Sequence, residues 1–200
     1  MQTSIQRRSK IQTLQCASVC GLLCVFLAGC QPSDQLQSQR PLFQEAAKSL
    51  GIDFQHHSGE DGQRRLQTIF GAGAVVADLD GDRDLDLLLV QSLSGVGGSR
   101  LYRNLLIEKG SLSFEDITEQ SDLKTQCYGT GATAADFDND GDVDIYITCF
   151  DSNEFWVNDG NAAFVESAAV FGLDDDRWTT AAAWFDIDNE AFWTCISETI

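Results

Sequence analysis

The sequence predicts an all-β fold: a partial β-propeller of about two complete blades plus part of a third, built from antiparallel sheets whose hairpins carry aspartate-rich loops. Three observations predict it. Two stretches, Asp78-Leu-Asp80-Gly-Asp82-Arg-Asp84-Leu-Asp86 and Asp136-Phe-Asp138-Asn-Asp140-Gly-Asp142-Val-Asp144, repeat five carboxylates on alternate residues and run straight into an apolar strand. The first aspartates of successive copies, Asp78, Asp136 and Asp186, are 58 and 50 residues apart, which suits a four-stranded blade of about 40–50 residues with loop insertions. No long segment shows helical periodicity, although residues 43–50 would allow a helical turn.

The chain opens with Arg7, Arg8 and Lys10, followed by an apolar run from Leu14 to Gly29. This predicts a signal peptide over 1–29, because the run falls short of the about 20 residues a membrane-spanning helix needs. Residues 30–40 are polar and Gln-rich, which reads as a flexible tether. The repeats then occupy 41–200, in units of about 41–110, 111–160 and 161–200. Each unit opens on a phenylalanine, at Phe43-Gln-Glu-Ala-Ala47, Phe114-Glu-Asp-Ile-Thr118 and Phe164-Val-Glu-Ser-Ala168.

A small-residue strand follows in each unit: Phe70 to Ala77, Tyr128 to Ala135 and Thr179 to Phe185. Each runs into an Asp-x-Asp pair, Asp78/Asp80, Asp136/Asp138 or Asp186/Asp188. The first two units add an apolar strand and an aromatic-Asn element, Leu101-Tyr102-Arg103-Asn104 and Phe155-Trp156-Val157-Asn158. Gly95, Gly97 and Gly98 mark an inserted loop over Ser92–Ser99. In the third unit the ladder breaks after Glu190 into Ala-Phe-Trp-Thr-Cys-Ile-Ser-Glu-Thr-Ile, so no matching aliphatic strand is expected and the chain reads as truncated or frame-shifted within a blade.

Charge excludes some partners. The net charge is −18, and leaving out residues 1–29 leaves 10 basic against 31 acidic residues. Such a surface repels nucleic acid and anionic lipid and favours cations or basic partners. Of the seven cysteines, Cys16, Cys20 and Cys24 lie in the signal segment. Cys127, Cys149 and Cys195 allow one disulfide and one free thiol in an oxidising compartment, and sequence leaves the pairing open. Their spacing fits no zinc motif.

The ladders carry the chemistry. Unit charges 4 Å apart repel by about 1 kcal/mol even in bulk water, so five carboxylates in a tight turn call for a counter-ion. Calcium takes six to eight oxygens, and a loop turning at a glycine aims alternate side chains inward while a main-chain carbonyl near position 7 adds another. Candidate metal ligands are therefore Asp78, Asp80, Asp82, Asp84 and Asp86 in the first loop and Asp136, Asp138, Asp140, Asp142 and Asp144 in the second. Magnesium demands stricter octahedral geometry. An EF-hand is excluded, because position 12 is Leu89 or Ile147 instead of glutamate. The first loop reads as the weaker site: Arg83 stands where the second has Gly141, which puts a non-glycine residue at a left-handed position and a guanidinium beside the ion.

Phe70-Gly71-Ala72-Gly73-Ala74 leading into one ladder, and Tyr128-Gly129-Thr130-Gly131-Ala132 into the other, resemble the FG-GAP or VCBS repeat of integrin α-subunit propellers. More narrowly, Gly51-Ile52-Asp53-Phe54-Gln55-His56 with Gly59 is similar to the opening blade of bacterial proteins like cartilage acidic protein, the ASPIC/UnbV group. This resemblance implies calcium at Asp78, Asp80, Asp82 and Asp86 and at Asp136, Asp138, Asp140 and Asp144. Leu27-Ala28-Gly29-Cys30 resembles a bacterial lipobox, which implies lipidation of Cys30, with Gln31 directing the protein to the outer membrane.

The function expected is a non-enzymatic, calcium-stabilised binding or scaffold module, lipid-anchored at the outer membrane or cell surface and presenting loops to protein or glycan partners. A calcium-dependent polysaccharide-active enzyme is the alternative, with His56, His57, Glu60 and Arg64 as its candidates, and a non-functional fragment is another. Neighbouring residues of an extended segment face opposite ways, so His56 and His57 do not form one site, and His56 reads better as a turn-stabilising residue.

Overall fold

The computed structural model describes residues 43–59, 62–63, 65–69, 71–93, 98–187 and 193–199. The signal segment, Cys30, the tether, Glu60, Arg64, Phe70, Asp188 and Glu190 lie outside them. The chain divides into Met1–Glu45 and a compact unit Ala46–Ile200, and the second carries all the elements below.

Two four-stranded antiparallel sheets and a two-stranded one follow each other along the chain. The first sheet is β1 (Ala74–Ala77), β2 (Asp86–Leu89), β3 (Arg100–Asn104) and β4 (Phe114–Asp116). The second is β5 (Gly129–Ala135), β6 (Asp144–Cys149), β7 (Glu154–Asn158) and β8 (Phe164–Glu166). The third pairs β9 (Thr179–Asp186) with β10 (Trp193–Thr199). One-turn helices α1 (Leu106–Lys109) and α2 (Ala168–Phe171) each end on a glycine in the left-handed region, Gly110 and Gly172. This mostly β arrangement, in-sequence sheets set side by side, is the partial propeller expected from the repeats.

Two details depart from the sequence reading. The Phe114 and Phe164 segments do not begin units: they form β4 and β8, the last strands of the preceding sheets, paired through Asn104↔Phe114 and Asn158↔Phe164. The blade boundary therefore falls later than the repeat boundary. In the third unit, the residues after the broken ladder do form a strand, with Trp193 opposite Asp186 and Thr194 opposite Phe185. Backbone pairing tolerates the irregular side chains there, because the hydrogen-bond ladder asks only for extended backbone.

The core alternates with the pleat. All six residues of β6 are buried. Ile145, Ile147 and Cys149 join Val75, Leu79, Leu88 and Leu101 between the first and second sheets. On the other face Tyr146 joins Phe155, Phe137 and Trp184 between the second and third. Phe137 packs edge-on to Phe155 and Phe171 at centroid distances of 5.3 and 5.1 Å, a favoured aromatic geometry. The strand β5 neighbours both β1 and β9. Their closeness explains a glycine: a Cβ on Gly73 would stand 2.8 Å from the backbone nitrogen of Ala132.

Cys127 and Cys149 form the disulfide, and Cys195 is the free thiol. This settles the pairing that spacing left open, and it ties the entry to β5 to the end of β6. Among the described residues no helix is long and apolar enough to cross a membrane.

Candidate metal centre

Both aspartate ladders sit in the same place, the hairpin joining the first two strands of a sheet. The register is identical, Ala77↔Asp86 in one and Ala135↔Asp144 in the other. The last aspartate of each ladder is the tie that closes the loop. Asp86 accepts the Leu79 amide on Oδ2 at 3.0 Å and the Asn104 amide on Oδ1 at 2.8 Å. Asp144 accepts the amides of Phe137 at 3.0 Å and Asn158 at 2.9 Å in the same way.

Asn104 and Asn158 complete the closure, each donating its side-chain Nδ2 to the carbonyl at loop position 8, Leu85 or Val143, at 3.1 Å. The sequence displayed these asparagines in its aromatic-Asn element without indicating what they hold. Asn158 Nδ2 also reaches the Leu79 carbonyl at 2.8 Å, and the Ala162 amide donates to that carbonyl at 3.1 Å. The second blade thereby braces the first loop.

Inside the loops, aspartates hold the turn by accepting backbone amides. Asp78 takes the Gly81 and Arg83 amides at 2.9 and 3.0 Å, and Asp82 takes that of Asp84 at 2.8 Å. In the second loop Asp136 takes the Gly141 amide at 3.1 Å and Asp140 that of Asp142 at 2.9 Å.

Each loop turns at two left-handed residues, at positions 4 and 6. The pairs are Gly81 (φ 80°) and Arg83 (φ 78°) in one, Asn139 (φ 59°) and Gly141 (φ 101°) in the other. Each sequence supplies one glycine, at a different position. Gly81 thus serves the first loop at position 4, where the second has Asn139. Asn139 occupies the left-handed region at little cost, whereas Arg83 is strained there.

The basic group beside the first site belongs to another strand. Arg83 is exposed and makes no ion pair among the described residues. Arg103 of β3 instead places Nε 2.7 Å from Asp80 Oδ2. The contact is ionic and lacks hydrogen-bond alignment, since Nε has no aligned acceptor. The weakness expected of the first loop thus has a different charge behind it. Val157 takes the corresponding place on β7 and brings no charge.

Cation ligands on one calcium lie at most about 5 Å apart, twice the calcium–oxygen distance. In the second loop Asp136, Asp138 and Asp140 each bring a carboxylate oxygen within 4.8 Å of the others. In the first loop Asp78, Asp80 and Asp86 do so, while Asp82 and Asp84 gather with Glu108 of α1. Asp142 and Asp144 stand outside the second set.

Several of these carboxylates are poorly neutralised by protein alone. Burial pushes both Asp86 and Asp144 up to about 6, against the hydrogen bonds that lower them. Burial, and then the charge of Asp82, raises Asp80 despite Arg103. Asp136 Oδ1, Asp82 Oδ2 and Asp84 Oδ1 are buried without a hydrogen-bond partner. Buried polar oxygens without partners are uncommon, and a divalent cation satisfies them and favours the ionised form. The residues present therefore fit calcium.

His56 is occupied structurally. Its Nε2 lies 2.8 Å from Ser92 Oγ, and that hydroxyl donates to the Gly129 carbonyl at 2.9 Å, so the imidazole is the donor to the serine. The His57 amide donates to Gln91 Oε1 at 2.7 Å. These bonds and Tyr128 Oη to the Ser58 carbonyl at 2.6 Å pin the opening segment across the first two sheets.

No curated protein matches the sequence. The model of the FG-GAP-like repeat family matches residues 78–147 and 136–192, two overlapping copies that together span more than half of the chain. The two matches begin at Asp78 and Asp136, the first residues of the two ladders. By fold, loop geometry and sequence, this chain belongs to the FG-GAP-like repeat family.

Proposed function

We propose that this chain is a calcium-binding, surface-tethered FG-GAP repeat lipoprotein that acts as a binding or scaffold module. The observation that carries the calcium reading is the second loop, where three carboxylates converge and Asp136 Oδ1 is buried without a partner. Asp136, Asp138 and Asp140 hold the ion there. Asp144 and Asn158 hold the loop closed around it. Calcium supplies the positive charge that lets the carboxylates converge, and since they converge only in the folded chain, binding energy adds to stability.

Export and anchoring at the outer membrane rest on the signal-like segment 1–29 and on Cys30, by their resemblance to a lipobox. The chemistry of the reading is non-enzymatic: the histidine that an active site would use is hydrogen-bonded into a structural junction. The partner is a protein or glycan. A groove of about 820 Å³ beside the disulfide, with Asp122, Asp151, Glu154, Glu166 and Asp174 against one Lys124, suits a basic segment of such a partner.

Calorimetric titration of calcium into the chain and two variants tests the metal reading. Asp140→Ala is expected to weaken binding more than Asp82→Ala, because the first loop starts from the poorer site. Equal effects would contradict that ranking, and no heat in the parent chain would remove calcium from the account.

A further inference from the structure

We propose that the groove beside the disulfide is a docking site for a basic protein segment, and that Glu154 and Glu166 seat one of its arginine side chains. This rests on reading the chain as a binding module, and it chooses a protein partner over a glycan and names the seat.

The first blade supplies internally what the second lacks. Leu89↔Arg100 and Tyr102↔Asp116 in the first sheet correspond in register to Ile147↔Glu154 and Trp156↔Glu166 in the second. Arg100 therefore stands where the second blade has Glu154, and Asp116 where it has Glu166. In the first blade the two form an ion pair, with Arg100 Nη1 3.9 Å from Asp116 Oδ2. The second blade sets a carboxylate at both positions. Burial, and then the charge of Glu166, raises Glu154 despite its hydrogen bonds.

Both carboxylates are held in place and lack a cation. Glu154 Oε1 accepts the amides of Gln126 and Cys127 at 2.8 and 3.0 Å, and its Oε2 accepts Trp156 Nε1 at 3.1 Å. Glu166 Oε1 accepts the Ala168 amide at 2.9 Å. Acceptors fixed in this way lose little freedom when a ligand binds. Among the described residues neither forms an ion pair with a lysine or arginine.

The rest of the groove suits the same partner. Its own cation, Lys124, is held by Asp122, with Nζ 2.6 Å from Oδ1. Asp151 and Asp174 then line it beside the two glutamates, and complementary charge of this kind orients a basic segment as it arrives. Trp156 and Phe164, the aromatic residues lining the groove, are only 5% and 3% exposed. They offer no open ring face for a sugar to stack on.

Fluorescence anisotropy of a labelled, end-blocked octapeptide of alternating glycine and arginine tests the seat, using the calcium-loaded full chain, Glu166→Gln and Glu198→Gln. Both replaced residues are exposed, and glutamine at 166 keeps an oxygen for the Ala168 amide, so both variants should melt as the parent does. We expect Glu166→Gln to weaken the peptide by about fivefold. Glu198→Gln, which removes the same charge from the third sheet, should weaken it by less than about twofold. Equal weakening would spread the binding over the acidic surface and overturn the seat. A parent chain that binds calcium but not the peptide overturns it too and leaves the calcium module standing, and binding of an uncharged chitin hexasaccharide by that chain would assign the groove to a glycan. A parent that binds neither calcium nor peptide overturns both readings.

Discussion

Arg103 Nε lies 2.7 Å from Asp80 Oδ2, so a guanidinium already occupies part of the first loop's charge field. A cation entering among Asp78, Asp80 and Asp86 must meet that charge, and the second loop has no equivalent. The two ladders are alike in sequence and unlike as sites because of a residue two strands away.

Removing that charge should strengthen the first site. Arg103→Gln is expected to raise calcium affinity there by about tenfold, about 1.4 kcal/mol, with the second site unchanged. Calorimetry resolves the two classes of site. Unchanged or weaker binding at the first loop would show that Arg103 supports it.

Backbone strain is a separate matter. Arg83→Gly relieves a left-handed residue at φ 78° and should stabilise the calcium-free fold by about 1 kcal/mol, a rise of about 3 °C in melting midpoint. Asn139→Gly should move it by less than a third of that. Equal shifts would mean that the left-handed arginine carries no special cost.

Acid should protect the calcium-free protein in one respect. The folded values of Asp86 and Asp144, about 6, lie above the unfolded value of 3.8. Their contribution is therefore fully present below about 4 and lost as pH rises through about 6. Melting curves in chelator should show that decline, and saturating calcium should abolish it. A calcium-free chain whose stability climbs across this window would contradict the burial of the two carboxylates.

The bridged and free cysteines should differ in reactivity. Burial pushes Cys195 up to about 11, so it should alkylate slowly at pH 8 and only after longer exposure, while Cys127 and Cys149 react only after reduction. Replacing both bridged cysteines with alanine should cost about 3 kcal/mol, the value for a loop of this size. Labelling of Cys127 or Cys149 in the unreduced chain, located by peptide mapping, would exclude the bridge.

Much of this was legible in the sequence, for reasons that can be named. Alternating carboxylates followed by an apolar run announce a loop and its strand, because both patterns have period two. What escaped was contact between distant positions. Arg103 carries no signal in its own surroundings, and it matters only because β3 brings it to a loop some twenty residues earlier. Leu79 and Phe137 look like spacers between aspartates, yet each plugs the space between neighbouring sheets. The strand Trp193–Thr199 was hidden because it lacks aliphatic alternation, and only its pairing with β9 reveals it.

If the ladders are calcium loops, their occupation stabilises the fold. Melting the full chain in chelator and then in millimolar calcium should give a clear rise in midpoint with calcium, reduced by Asp140→Ala. A midpoint indifferent to calcium, in a chain that otherwise unfolds cooperatively, would contradict it.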